Sequence, residues 1–148
     1  EQRRFERERE AVPEEAQYMI NNKASDLLAL ASGVLDAQME AAAGNTAAAV
    51  DAWRRAVELE AAIQYDEPPA WFYPVRQSLA AALLRDGRPA EAEALFRETL
   101  AKYPRDGRLL YGLWQSLVAQ DKDEARLVEA QHRTAWSTAT EPLAIDDL

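Results

Sequence analysis

The chain contains no cysteine, which excludes disulfides, thiol nucleophiles and zinc-thiolate sites. Histidine occurs once, at His132, and a metal site needs several ligands. Aromatic residues make up only 8% of the 148 positions, and glycine occurs five times. No apolar run reaches the roughly 20 residues needed to span a bilayer as a helix. Cations are outnumbered, with 17 Lys and Arg against 26 Asp and Glu, giving a formal charge of −9. Nucleic-acid backbone binding needs clustered Lys and Arg to displace counterions, so nucleic acid is not an expected partner. Anionic membrane surfaces are disfavoured for the same reason. A Gly-rich phosphate loop, a Ser/His/Asp set and a calcium-loop pattern are also missing. The expectation is a non-enzyme with no catalytic, cofactor-binding or metal-binding residues. The chain begins at Glu1 without methionine, which leaves a mature form or an excised fragment open, and cytoplasm or periplasm as its compartment.

What is abundant is alanine, leucine, glutamate and arginine, whose side chains lose little freedom in a helix. Alanine lets helices approach closely, so core volume must come from Trp53, Trp71, Phe72, Phe96, Trp114 and Trp136. Two segments repeat. Leu79 and Leu113, Leu83 and Leu117, and Gly87 and Asp121 are each 34 residues apart. In the first segment Val75, Leu79, Ala82 and Leu83 form one helical stripe, and Ala92, Leu95, Phe96 and Leu100 form another. Asp86-Gly87-Arg88-Pro89 turns the chain between them, and Tyr103-Pro104 stops the second helix. In the second segment Leu110, Leu113, Leu117 and Val118 make one stripe, and Ala125, Val128, His132 and Trp136 the other. His132 thus falls where an aromatic would sit, as a core or half-buried ring. The acidic pairs Glu91/Glu93 and Asp121/Asp123-Glu124 read as solvated surface charge.

An upstream unit is looser. Leu28, Ala31, Leu35 and Met39 suggest a helix, Gly44-Asn45-Thr46 a turn, and Ala49, Val50, Trp53, Ala56 and Val57 a second helix. Ala49 and Ala92 are 43 residues apart, nine more than the period, and the excess falls in Ala61–Phe72. Residues 1–10, with four Glu and four Arg, read as a mostly solvated helix.

The 34-residue period and the Ala92/Phe96 pattern resemble the tetratricopeptide repeat. More specifically, YDEPPAWFYPVRQSLAAALLRDGRPAEAEALFRETL followed by LYGLWQSLVAQ resembles the carboxy-terminal region of a group of longer bacterial tetratricopeptide proteins. The resemblance implies an all-α, right-handed stack of about three antiparallel helical hairpins with an N-terminal helix. In that reading one domain, 1–148, comprises an N-terminal helix and connector (1–22), three hairpins (23–60, 73–106, 107–139), a Pro-rich insertion (61–72) and an acidic tail (140–148). Ala92 would sit where paired helices touch, and Trp114 would occupy the small-residue site of the third hairpin's first helix. The implied function is a protein- or peptide-binding scaffold. The alternative is a purely structural or self-associating domain, packing on an upstream domain or through its N-terminal end.

Such a scaffold binds on an inner face supplied by the first helix of each repeat. Here those positions are Pro74, Gln77, Ser78, Ala81 and Arg85, then Arg108, Tyr111, Gln115 and Val118. They lack the lysines and asparagines of the family's carboxylate clamp, so binding of a chaperone's carboxy-terminal tail is not expected. Within the insertion, one reading makes Tyr65, Trp71, Tyr73 and Arg76 line one end of a peptide groove, since aromatics and arginine concentrate interface energy. The other makes it a structural link, stiffened by Pro68 and Pro69, plugged by Trp71 or Phe72 and closed by Asp66 or Glu67 pairing with Arg76. Candidate partner contacts are therefore Tyr65, Trp71, Tyr73, Arg76, Gln77, Arg108, Tyr111 and Gln115.

Overall fold

The structure, a computed structural model, describes residues 2–148. The chain groups into two compact units, one running up to Val75 and one from Arg76 to Leu148.

The first unit holds α1 (Gln2–Glu10), the two-residue strands β1 (Gln17–Tyr18) and β2 (Asn22–Lys23), α2 (Ala24–Ala42) and α3 (Thr46–Ala62). Helices α2 and α3 form an antiparallel hairpin whose turn uses Gly44 at φ +79°, a conformation that costs glycine no Cβ clash. Ala49, Val50, Ala52, Trp53 and Ala56 carry the buried face of α3. On α2 the buried face is Leu27, Leu30, Val34 and Ala37, about one position round from the expected Leu28–Met39 stripe. Met39 is instead exposed. The cause is that α2 is apolar on more than one side, so its sequence carries no sharp phase. Its second flank meets α1, where the Ser32 hydroxyl donates to Glu6 at 2.5 Å and Gln2 donates to Asp36 at 2.6 Å. The segment 14–22, expected to be a plain connector, contains the β1–β2 ladder, with Gln17 opposite Lys23 and Tyr18 opposite Asn22.

The second unit is built from α4 (Val75–Arg85), α5 (Pro89–Lys102), α6 (Gly107–Val118) and α7 (Ala125–Ala135), followed by a 3-10 turn at Ile145–Asp147. Gly87 at φ +75° turns α4 into α5, and Pro89 opens α5, where its missing N–H is no loss. Asp106 caps α6 by accepting from the backbone N–H groups of Arg108 and Leu109. Asp121 turns α6 into α7 at φ +54°, the left-handed position that Gly87 fills one repeat earlier. Leu79, Ala82, Leu83, Ala92, Phe96, Leu110, Leu113, Leu117 and Val128 are all buried. All-helical hairpins of this kind, α2–α3, α4–α5 and α6–α7, give the repeat architecture read from the sequence.

Two expectations are corrected inside this unit. Glu93 is not solvated: it is 9% exposed and accepts from Arg97 (3.0 Å), Gln120 (2.7 Å) and Lys122 (2.6 Å). The small residue at the α5–α6 contact is Gly112, since a Cβ there would lie 2.1 Å from the tip of the Phe96 ring. Trp114 sits half-buried and stacks on His132 of α7, with ring centroids 6.0 Å apart.

Candidate binding face on the second unit

The first helices of the two hairpins in the second unit, α4 and α6, bring Arg85, Arg108, Tyr111 and Gln115 at least partly to the surface, whereas Ser78 of α4 is buried. On α6, Arg108, Tyr111 and Gln115 fall at i, i+3 and i+7, so helical geometry puts them on one stripe. Arg108 is exposed, and Tyr111 and Gln115 are half-buried. Behind this stripe stands a ladder of rings. His132 stacks between Trp114 and Trp136, 6.0 Å from each, with Tyr111 at 5.4 Å. His132 Nδ1 lies 2.9 Å from the Gly107 carbonyl oxygen, which fixes the ring's orientation. A Cβ on Gly107 would come within 2.6 Å of Trp136, so the absence of a side chain there lets Trp136 approach. The Arg108 guanidinium lies 5.8 Å from the Trp136 ring, a cation–π distance.

This face holds a segment of the chain itself. The tail, expected to be acidic and without helical period, leaves α7 and is pinned first where the Trp136 indole N–H donates to the Glu141 carbonyl at 2.9 Å. It then makes its 3-10 turn and meets both helices. Arg108 donates to the Asp147 carbonyl at 2.5 Å, Arg85 pairs with Asp146 at 2.7 Å, and the Ser78 hydroxyl donates to a main-chain oxygen of Leu148 at 3.1 Å. Leu148 is 8% exposed, whereas Asp146 and Asp147 stay on the outside. Leu143 and Ile145 are half-buried. Leu148 therefore faces inward, while at the rim the Asp146 carboxylate meets Arg85 and the Asp147 carboxylate accepts from the Ala144 N–H at 2.6 Å. Burial pushes the Tyr111 hydroxyl pKa up, and the nearby Asp147 carboxylate adds to the shift. Periodicity could not have found this contact, because five residues give no repeat to read. The signal available was the placing of Leu143, Ile145 and Leu148 among acids in a stretch read only as an acidic tail.

The remaining candidates are placed as follows. Gln77 is buried in α4, with 4% exposed. Arg76 pairs with Glu98 of α5 at 3.0 Å, not with Asp66 or Glu67. In the first unit Tyr65 is exposed and its hydroxyl donates to Glu67, a contact that raises the tyrosine pKa, with the carboxylate's charge and desolvation adding to it. Trp71, Phe72 and Tyr73 form a tilted cluster, with Trp71 and Tyr73 centroids 6.3 Å apart and Phe72 outermost. Asp66 is 3% exposed and ties the insertion to the β1–β2 loop. It accepts from Asn21 Nδ2 at 2.9 Å and Asn22 Nδ2 at 2.8 Å, while Gln64 N–H donates to Asn22 Oδ1 at 2.8 Å.

A concavity of about 760 Å³ lies among α5, α6 and α7 of the second unit, walled by Leu100, Leu110, Leu113, Leu127 and Val128. Among the described residues no group of three His, Asp or Glu side chains is placed to hold a metal ion, and no helix is long and apolar enough to cross a membrane.

Helical hairpins with this turn chemistry, presenting their first helices on one face, define a helical-repeat interaction scaffold. The family model described as tetratricopeptide repeat matches residues 74–116, which spans α4, α5 and most of α6. Over that stretch the chain is similar to the tetratricopeptide repeat. No match was found among curated proteins or among solved structures.

Proposed function

We propose that the chain is a peptide-binding scaffold whose contact surface is the α4–α6 face of the second unit, centred on Arg85, Arg108, Tyr111 and Gln115. The observation that carries this reading is the tail segment already seated there, which supports a face that takes main chain and side chains together. Arg108 and Tyr111 are residue types that concentrate binding energy. The resemblance of the YDEPPAWFYPVR segment supports placing the chain in the carboxy-terminal part of a larger bacterial protein or assembly. Tyr65, Trp71 and Tyr73 remain proposed contacts of the first unit, secondary to this face because Asp66 gives their segment a structural task.

The test is capture of partners from the source cell by the full chain, wild type and Arg108→Glu/Gln115→Ala, with circular dichroism to show that the variant is folded. Loss of the captured proteins in a folded variant supports the face. Undiminished capture moves the binding surface elsewhere.

Self-association through the N-terminal end has one observation in its favour. Tyr18, Met19 and Ile20 are exposed at 45%, 39% and 84% in the β1–β2 turn. Light scattering of the full chain against an Ile20→Asp variant tests it, and a monomer at every concentration for both would end that reading.

A further inference from the structure

We infer that Ala144–Leu148 is a built-in competitor for the α4–α6 face, and that the face takes acidic peptides carrying aliphatic residues of the Ile-Asp-Asp-Leu kind. The inference rests on the peptide-binding reading above and names its ligand chemistry and its regulation.

Three features of the contact point to a ligand mimic. Its polar contacts combine backbone and charge: Arg108 and Ser78 hold main-chain oxygens, while Arg85 holds a carboxylate. Contacts to main chain are indifferent to sequence, so any segment that makes the same 3-10 turn could make them. Specificity then falls to the other two features. Leu148 is buried, which calls for an aliphatic side chain at that place. Arg85 on α4 meets the Asp146 carboxylate, and the Asp147 carboxylate lies near Tyr111 of α6, which calls for acids beside it. The chain's charge of −9 makes a cationic pair on one face a local exception, and acidic segments are the ligands such a pair selects.

The hold is also of a kind that can be released. Asp146 is largely exposed and Arg85 partly so, and exposed ion pairs contribute little. What keeps the segment seated is its tether: a linked segment competes at an effective concentration on the order of millimolar. A partner peptide of the same chemistry must displace it, and its apparent affinity is reduced by the fraction of open molecules.

The test uses the full chain and a fluorescent peptide of sequence Glu-Pro-Leu-Ala-Ile-Asp-Asp-Leu. Asp146→Arg/Leu148→Asp should release the tail, setting like charge against Arg85 and a carboxylate against an apolar seat. Fluorescence anisotropy should then show peptide binding at least about tenfold tighter than to wild type, as expected when the closed form dominates. Adding Arg108→Glu should abolish that gain. A folded release variant that binds the peptide no better than wild type overturns the inference, and so does a release variant that unfolds, because the segment is then a structural cap. If peptide binding fails while partner capture still depends on Arg108 and Gln115, the competitor falls and the binding face stands. If both fail, both readings fall.

Discussion

Gly112 lies in the middle of α6, where glycine ordinarily costs about 1 kcal/mol relative to alanine. Here the sign reverses, because the Phe96 ring occupies the place of the missing side chain, 2.1 Å from where a Cβ would be. Phe96 is fully buried, in a core of the close packing typical of protein interiors. Gly112→Ala should therefore destabilise the chain by about 1–3 kcal/mol, the range for overpacking a filled core. Urea unfolding would show this as a lower midpoint with an unchanged slope, whereas a midpoint at or above wild type would mean that α5 and α6 can part without cost. The sequence carried a trace of this in a helix-interior glycine between Tyr111 and Leu113. The 34-residue alignment pointed to Trp114 instead, because it compares positions within helices and cannot see which neighbour fills which hole.

Between elements, the least legible contact is the one made by Glu93. By spacing it belongs to a solvated acidic pair with Glu91, and Glu91 does lie exposed beside Arg88 at 2.7 Å. Glu93 is two residues on, which turns it by about 200° round the helix, toward the turn that follows α6. There it meets Gln120 and Lys122, which no spacing or motif places beside it. Burial alone would raise its pKa, but the hydrogen bonds from Lys122, Gln120 and Arg97 outweigh that, and the carboxyl is held below its ordinary value. The sign of the linkage follows. A group whose folded pKa is depressed contributes stability above its unfolded pKa and loses it as pH falls through the folded one. Stability should thus decline as acid is added from the ordinary glutamate range downward. In Glu93→Gln that part of the decline should vanish, along with the charge pairing to Lys122. Thermal melts of both proteins across the acid range would decide it, and parallel curves would sink the assignment. The helices themselves were legible wherever one face alone is buried, as in α5 and α6. They blurred in α2, which is covered on two sides.

At the scale of the whole molecule, the period announced the repeats of the second unit, while the nine surplus residues could be located but not explained. The structure explains part of them through Asp66. Its buried carboxylate accepts from two asparagine side chains of the β1–β2 loop, 44 and 45 residues away in the chain. Such a pairing leaves no periodic mark, since it joins two irregular segments through side chains. Removing the acceptor leaves one hydrogen of the buried Asn22 amide unpaired, at about 1–3 kcal/mol, and also loses the contacts from Asn21. Asp66→Ala is accordingly expected to lower stability by about 2 kcal/mol or more on that scale. The loss should be felt in the unit to which Asp66 belongs. Hydrogen exchange should quicken at Asn22 and Gln64, where the clasp closes, and across the β1–β2 ladder. The amides of α5, α6 and α7, which share a separate core, should keep their protection. Equal loss of protection in both units would mean that the chain opens as a single cooperative body, and that its division at Val75 describes packing density and not stability.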